Sequence, residues 1–295
     1  MYEKFYGLTT RPFTMVPDPF FLFWGRNHSL AYSMLEYGIF NQAGFTVITG
    51  EIGCGKTTLL RQLLHNIDGL ITVGLISNTM IGQGTLLEWI LLSLNQPFEH
   101  TKYVALLRQF QDFVISEYEQ GRHTVLMIDE AQNLDLAALE ELRMLSNINS
   151  DGAQLLQVIL VGQPQLRTML QRPELVQFAQ RIGSDFHLGP LDVDEVVKYI
   201  HHRTALAGAQ EALFSSAAAQ LIAEASGGIP RIINALCDGA LVYGFALQAN
   251  KITGAIVQEV LGDRSKFGRV PLHPTSTSRL IDWQQPFLKK DRGPE

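Results

Sequence analysis

The stretch Gly50-Glu51-Ile52-Gly53-Cys54-Gly55-Lys56-Thr57 decides the fold, because it fits the pattern G-x-x-x-x-G-K-[ST]. It follows the apolar run Phe45 to Thr49 and continues into Thr58-Leu59-Leu60-Arg61-Gln62-Leu63-Leu64. A strand, a glycine-rich loop and a helix in this order are the context in which the pattern marks a phosphate-binding loop. The loop backbone directs N–H groups at phosphate oxygens, and the helix adds the positive end of its dipole. The sequence therefore predicts a nucleoside triphosphate site.

Every position of this loop and the residue after it is a predicted nucleotide contact: Gly50, Glu51, Ile52, Gly53, Cys54, Gly55, Lys56, Thr57 and Thr58. We expect Lys56 to reach the β- and γ-phosphates and the Thr57 hydroxyl to bind Mg²⁺. A glycine turn that merely precedes a helix is the alternative, and the two flanks with the Lys-Thr pair argue against it. Cys54 is interpreted as a small filler of the loop, with a reactive thiol as the alternative.

Composition restricts the class of protein. The chain has 295 residues, 46% of them hydrophobic and 18% charged, which is typical of a globular protein with one large or two modest domains. The net charge of −6 excludes a bulk basic field for nonspecific binding of nucleic acid, although it leaves a local basic patch open. With only two cysteines, Cys54 and Cys237, we expect no structural disulfide and a reducing, cytoplasmic compartment.

Neither a signal peptide nor a membrane span is expected. The first residues, Met1 to Gly7, lack a basic segment followed by an apolar run. The most apolar stretch, Leu86 to Leu94, is too short to cross a bilayer and contains Glu88. We therefore expect a soluble chain.

Alternating strand and helix patterns predict an α/β fold with a parallel sheet that has helices on both faces. The predicted strands are Phe45–Thr49, Leu70–Ile76, Thr124–Ile128, Leu155–Val161 and Asp185–Leu188. The predicted helices between them are His28–Phe40, Thr57–His65, Gly84–Leu94, Tyr103–Glu119, Leu136–Asn147 and one that begins at Pro164. Asp135 is a predicted N-cap, and Asn149-Ser150-Asp151-Gly152 is a predicted turn.

After Pro190 only helical patterns occur, so we expect a second, small all-helical domain. Its predicted helices are Asp192–Ala207, Ser215–Ala225, Pro230–Leu247 and Gly254–Leu261, and Asp192 with Glu195 resembles a capping box. The expected domains are a nucleotide-binding α/β core at 1–190 with an N-terminal aromatic arm, the helical domain at 191–262 and a disordered tail at 263–295. In that tail, Trp283 and Phe287 are candidates for docking on a partner.

A second motif supplies acidic groups. Val125-Leu126-Met127-Ile128 is an apolar strand that ends in Asp129 and Glu130, and ligands bind at such strand ends in open α/β sheets. We expect Asp129 to help hold Mg²⁺, mostly through water, and Glu130 to activate the attacking water as general base. The alternative is a strand that ends in two solvated acids. The Asp-Glu pair favours hydrolysis.

Five segments in a fixed order resemble an AAA+ ATPase with a helical lid: Gly50–Thr57, Asp129-Glu130, Gly162-Gln163-Pro164, Gln180-Arg181-Ile182 and Gly227-Gly228-Ile229-Pro230-Arg231. Within that superfamily, three runs resemble the ExeA-like ATPases, which comprise general secretion pathway protein A and relatives encoded with exopolysaccharide and exosortase loci. The runs are the N-terminal Phe-Tyr-Gly-Leu-x-x-x-Pro-Phe with Pro-Asp-Pro, Asp129–Leu134 and Gly162–Leu166. Transposition ATPases of the TniB type are more distant. The resemblance covers about residues 1–262.

The resemblance implies roles for three further side chains. Gln163 matches sensor 1, which senses the γ-phosphate, with a turn glutamine as the alternative. Arg181 matches the arginine finger that acts on a neighbouring subunit; Arg172 is a second candidate, and a surface ion pair is the alternative. Arg231 matches sensor 2, which reaches from the lid to the γ-phosphate. The alternative is an arginine without a function at the start of a helix, where the positive end of the helix dipole disfavours a cation.

The function expected from the resemblance is that of an ATP- and Mg²⁺-dependent AAA+ homo-oligomer that assembles or remodels a partner complex in secretion or exopolysaccharide export. Because the chain ends at Glu295, without the transmembrane helix and peptidoglycan-binding domain of full-length members, we expect envelope association only through a partner. A DNA-associated regulator of the transposition type ranks second. Such a protein needs a stripe of lysine and arginine for DNA, and the sequence has one basic cluster, Lys289-Lys290-Asp291-Arg292. A non-hydrolysing scaffold and a small-molecule kinase rank lower. The chain lacks the Asn-Lys-x-Asp signature of guanine binding, so ATP is preferred.

Overall fold

The structure is a computed structural model that describes residues 1–67, 69–77, 84–98, 102–150 and 153–267. The chain forms two compact units. The first, called the α/β unit, is Arg26–Gly189. The second, called the helical unit, combines Met1–Gly25 with the residues from Pro190 onward. The predicted fold class, a P-loop sheet followed by a helical domain, is confirmed.

The centre of the α/β unit is a five-stranded parallel sheet. The strands of this sheet are β1 Phe45–Gly50, β2 Ile71–Ile76, β3 His123–Ile128, β6 Leu156–Gly162 and β7 Ile182–Leu188. Two short strands, β4 Asn149–Ser150 and β5 Ala153–Gln154, form a separate antiparallel pair before β6. The sheet order is β2-β3-β6-β1-β7. The three inner strands are the most thoroughly buried, and every residue of β1 and β6 is buried. Continuous burial is expected where helices cover both faces of a parallel sheet.

The helices of the α/β unit have these bounds: α1 Arg26–Phe40, α2 Lys56–Asn66, α3 Leu86–Ser93, α4 Tyr103–Glu119, α5 Leu136–Leu145, α6 Pro164–Leu170 and α7 Val176–Ala179. Local chemistry fixes several of their starts. Asp135 accepts a hydrogen bond from the backbone N–H of Ala138 at 2.7 Å, as its predicted N-cap role requires. Thr85 and Glu88 form a capping box at the start of α3. The predicted turn at 149–152 lies between β4 and β5, and residues 151 and 152 are outside the described ranges.

The helical unit contains α8 Val193–Leu206, α9 Ser216–Ser226, α10 Pro230–Ala246 and α11 Gly254–Phe267. The capping box of Asp192 and Glu195 is present as predicted. Helix α11 continues six residues past its predicted end at Leu261, so residues 263–267, expected to begin a disordered tail, are helical. Residues 268–295, with Trp283, Phe287 and the basic cluster Lys289–Arg292, lie outside the described residues.

The N-terminal arm requires a correction, because it groups with the helical unit and not with the α/β core. Tyr2, Tyr6, Phe13 and Phe21 are buried in the same apolar cluster as residues of α8 to α11. The Tyr2 hydroxyl also donates a hydrogen bond to Asp238 at 2.5 Å. Hydropathy shows that such an aromatic segment is buried, but it does not show against which partner.

A buried polar network fixes the arm to α8 and α10. The guanidinium of Arg203, only 7% exposed, donates to the Pro12 carbonyl at 2.5 Å and to the Tyr199 hydroxyl at 2.8 Å, and it lies 4.6 Å from the Phe21 ring centroid. Asn234 accepts from the Tyr199 hydroxyl and donates to the Thr14 carbonyl. Burying a cation is costly unless it is paired, and the Pro12 carbonyl, the Tyr199 hydroxyl and the Phe21 ring face are the partners of this guanidinium.

Gly228→Ala is expected to destabilise the helical unit by about 2–5 kcal/mol, from a left-handed backbone and an overpacked contact. Gly228 has φ +75°, and an added Cβ would lie 1.9 Å from the Leu191 carbonyl oxygen. Denaturant unfolding would measure the loss. Gly7→Ala is the matched control, since Gly7 has φ +65° in the same unit with no heavy atom within 4 Å of the added Cβ. Equal losses in the two variants would show that the contact contributes nothing.

Candidate nucleotide site

The glycine-rich loop joins the carboxyl end of β1 to the start of α2, as predicted. Gly53 and Gly55 have φ of +85° and +98°, which are left-handed values that favour glycine. At Gly50 a Cβ would lie 2.5 Å from the Leu188 carbonyl oxygen of the adjacent strand, so only glycine fits this close approach. Backbone N–H groups at the first turn of α2 have no helical partner, which leaves them free to bind an anion.

Lys56, the first residue of α2, is buried and directs its ammonium group back over the loop. Its Nζ donates to the carbonyl oxygens of Gly50 at 2.7 Å and Glu51 at 2.9 Å. Burial lowers the pKa of Lys56, and the nearby negative charges of Glu130, Asp129 and Glu51 oppose that shift. Within the part of the chain that the structure describes, no carboxylate lies in ion-pair distance of this ammonium group. A buried cation held only by carbonyls suits a phosphate ligand.

Thr57 and Asp129, the predicted magnesium ligands, are in direct contact. The Thr57 hydroxyl donates to Asp129 Oδ2 at 2.7 Å, and Asp129 is 5% exposed at the end of β3. Both groups offer oxygen ligands, which Mg²⁺ prefers. No group of three or more His, Cys, Asp or Glu side chains that could hold a metal occurs among the described residues. The pair therefore fits an ion that takes its other ligands from water and phosphate.

Glu130 follows Asp129 and has an unusual backbone, with φ +55° and ψ +38°. Its Oε2 accepts hydrogen bonds from the side-chain amides of Gln132 at 2.6 Å and Gln163 at 3.0 Å. Burial raises the pKa of this carboxyl, but the two amide hydrogen bonds and the charge of Lys56 outweigh burial and lower it. The carboxylate is therefore ionised at neutral pH, which general-base chemistry requires. Thus the structure brings together Glu130 and Gln163, two predicted side chains from the ends of different strands.

Sequence reasoning missed His28, a buried side chain of α1 beneath the loop. Its Nε2 donates to the Cys54 carbonyl at 2.9 Å, and it lies 3.2 Å from the position of an added Cβ on Gly55. No motif links a histidine 26 residues upstream to the loop, so only the packing of α1 could identify it. Burial raises the pKa of the Cys54 thiol to about 11, and Lys56 lowers it less. Cys54 is therefore a neutral, packed thiol, and the reactive alternative is not supported.

Arg181, the expected arginine finger, lies at the amino ends of the strands, opposite the ends at which the glycine-rich loop lies. It directly precedes β7, which runs parallel to β1, whereas the glycine-rich loop follows the far end of β1. Six strand residues span about 20 Å, so Arg181 does not meet the loop of its own chain. Its Nη1 donates to Ser146 Oγ at 3.0 Å and to the Arg143 carbonyl at 3.4 Å. Arg172, the second candidate, is exposed at the N-cap of the short 3₁₀ helix Pro173–Leu175.

Arg231 is the exposed second residue of α10 in the helical unit, directly after Pro230. An arginine at this end of a helix meets the positive end of the dipole, so the helix itself gains nothing from it. Its role as sensor 2 stays a prediction. The same holds for the roles of Gln163 and Arg181.

Comparison with known proteins agrees with this geometry. A family model described as "AAA domain" matches residues 40–170, which include the glycine-rich loop, Asp129, Glu130 and Gln163. General secretion pathway protein A of Aeromonas hydrophila is 38% identical over 253 residues, which are 85% of this chain and 46% of that protein. This chain thus spans less than half the length of that relative.

Two solved structures share the fold at low identity. Cdc6p of Pyrobaculum aerophilum aligns with a TM-score of 0.64 and 17% identity, covering 88% of this chain and 70% of that one. The ORC2 protein of Aeropyrum pernix aligns with a TM-score of 0.60 and 18% identity, covering 80% and 66%. The match to the AAA domain and the 38% identity over 85% of this chain show that it belongs to the AAA+ ATPases, in the ExeA-like family of general secretion pathway protein A.

Proposed function

We propose that this chain binds ATP with Mg²⁺ at the glycine-rich loop, hydrolyses it, and uses the cycle to assemble or remodel a partner complex of an export apparatus. The main support for ATP hydrolysis is a pair of hydrogen bonds at the carboxyl ends of the strands, between Thr57 and Asp129 and between Gln163 and Glu130. Among the solved structures that share the fold, the ORC2 structure is described as ADPNP and ADP complexes, which supports nucleotide binding by this chain.

Each group then has a defined task. The loop N–H groups and Lys56 bind the phosphates, while Thr57 and Asp129 hold Mg²⁺, which neutralises phosphate charge when bound. Glu130 accepts a proton from the attacking water, and Gln163 lies beside it to contact the γ-phosphate. Arg231 would contact the same phosphate from the helical unit.

We propose that the protein acts as a homo-oligomer in which Arg181 acts on the nucleotide of a neighbouring subunit. Its place at the amino edge of the strands supports this, because it lies about 20 Å along β1 from the loop of its own chain. The secretion context rests on the relative from Aeromonas hydrophila. Within the described ranges, no helix is long and apolar enough to cross a bilayer. A cytoplasmic site of action, with a protein partner linking the chain to the inner membrane, is part of the proposal.

Arg181→Ala should lower ATP turnover by about 10³–10⁵-fold without loss of nucleotide binding, because a finger stabilises charge only in the transition state. Mixing this variant with Lys56→Ala should partly restore activity. In mixed assemblies, intact Arg181 from one variant then faces an intact loop from the other. Steady-state phosphate release at several mixing ratios measures the recovery.

Arg172→Ala is the matched control and should keep wild-type turnover; loss there instead would transfer the finger role to Arg172. Absence of recovery in the mixtures would count against action between subunits. Turnover should also rise with protein concentration and ignore duplex DNA. Activity that appears only with DNA and collapses in high salt would favour the DNA-associated alternative.

A further inference from the structure

We propose that Gln132 is a positioning residue for hydrolysis, which holds the carboxylate of Glu130 in place while Gln163 is free to contact the γ-phosphate. This inference rests on the proposed function, since it assigns a role beside the proposed base. Gln132 belongs to the run Asp129–Leu134, in which the sequence assigns roles only to Asp129 and Glu130.

The contacts form a closed triangle. The Gln132 side-chain N–H donates to Glu130 Oε2 at 2.6 Å, and its side-chain oxygen accepts from the backbone N–H of Gln163 at 2.9 Å. The side chain of Gln163 donates to the same Glu130 oxygen at 3.0 Å. One amide group therefore connects the acid after β3 to the end of β6. Both of its polar atoms are used, so its orientation is fixed.

The backbone is shaped to make this contact. Glu130 adopts the left-handed conformation, which is rare for a residue with a side chain, and it begins the 3₁₀ turn Ala131–Asn133. Within that turn, the side chain of Gln132 contacts both Glu130 after β3 and Gln163 after β6. At Gly162 an added Cβ would lie 2.9 Å from the side-chain oxygen of Gln132, so the last residue of β6 must be small. Strain at Glu130 and space at Gly162 are independent features that serve one contact.

The two amides differ in what else they must do. Gln163 has one side-chain amide, and when that group turns to the γ-phosphate its bond to Glu130 is weakened or lost. Gln132 is held by the backbone of Gln163 and not by its side chain, so its bond to Glu130 persists through that change. Glu130 thereby keeps one oxygen fixed and presents the other to water. Small misplacements of a reacting group cost large factors in rate, which gives Gln132 its effect.

Gln132→Glu and Gln132→Met separate this role from a structural one. Gln132→Glu keeps an oxygen to accept from the Gln163 backbone but loses the donor to Glu130, while the isosteric Gln132→Met loses both. We expect each variant to lower kcat roughly 10- to 100-fold with KM and the Kd of a non-hydrolysable ATP analogue unchanged. If Gln132 only supported the end of β6 through the backbone of Gln163, hydrolysis would be slower in Gln132→Met and close to the wild-type rate in Gln132→Glu. Thermal unfolding of both variants controls for a loss of stability. Gln62→Met, which replaces a partly exposed glutamine of α2, is the matched control for the substitution itself.

A double-mutant cycle completes the test. If Gln132 acts through Glu130, then Gln132→Met should cause no further loss of kcat in a Glu130→Gln background, measured by single-turnover hydrolysis. Additive losses would overturn the inference, and so would wild-type kcat in both single variants. If the Gln132 variants hydrolyse ATP at the wild-type rate while Glu130→Gln is inactive, the role of Gln132 is excluded and Glu130 keeps its role as the base. A Glu130→Gln variant that hydrolyses ATP at the wild-type rate would remove the assigned base and this inference together.

Discussion

Lys56→Ala is expected to abolish detectable ATP binding, with a loss of affinity of about two orders of magnitude or more. Hydrogen bonds to charged groups contribute about 1.5–3 kcal/mol each, and about 1.4 kcal/mol corresponds to a tenfold change in affinity. Lys56 supplies the one ammonium group inside the loop, where burial strengthens its attraction to phosphate. Isothermal titration with ATP and Mg²⁺ measures the change.

The matched control is Lys102→Ala, which removes the exposed lysine at the N-cap of α4. It should bind ATP as the wild type does. Thermal unfolding without nucleotide is needed beside both, because the Lys56 ammonium also satisfies the carbonyls of Gly50 and Glu51. Tight ATP binding by a folded Lys56→Ala variant would refute the assignment of the phosphate loop.

Glu130→Gln should retain ATP and lose hydrolysis, with turnover lower by about 10²–10⁴-fold. Glutamine has nearly the shape of glutamate, and its oxygen still accepts from Gln132, but it does not take a proton from water. The phosphate contacts of Lys56 and Thr57 are untouched, so nucleotide affinity should persist. Phosphate release and equilibrium binding of ATP, measured on the same preparation, separate the two effects.

Glu119→Gln is the matched control, since it removes an exposed carboxylate at the end of α4 by the same chemistry. Its turnover should equal that of the wild type. A Glu130→Gln variant with undiminished turnover would exclude Glu130 as the base. A variant that loses ATP binding together with turnover would show that Glu130 contributes to affinity instead.

The sequence predicts the α/β unit well because its signals are local. A glycine-rich loop needs particular φ values and helix starts need capping oxygens, and both leave marks on adjacent residues. The loop at Gly50–Thr57, the acids Asp129 and Glu130 and the caps at Asp135 and Asp192 follow from such marks. Strand bounds shifted by up to three residues, as at β7, where alternate exposure weakens the apolar signal.

What the sequence did not predict depends on contacts between distant residues. His28 reaches Cys54 across 26 residues, and Gln132 reaches Gln163 across 31. Neither side chain has a spacing that chemistry demands, so packing alone reveals them. The arm was assigned to the wrong unit for the same reason, since the partners of Tyr2 and Pro12 lie near residues 238 and 203. Hydropathy measures the tendency to be buried and carries no information about the partner.

The helical unit, built from both ends of the described chain, has a consequence for the order of synthesis. The arm leaves the ribosome before the elements with which it packs, since Tyr2 donates a hydrogen bond to a residue 236 positions later. Residues 26–189 contain their own sheet and core, so they are able to fold while the arm still lacks its partners. The aromatic side chains of the arm thus stay exposed to solvent and chaperones until α8 to α10 have emerged. Contacts between residues far apart in sequence form slowly, so we expect the arm to be the last of the described elements to fold.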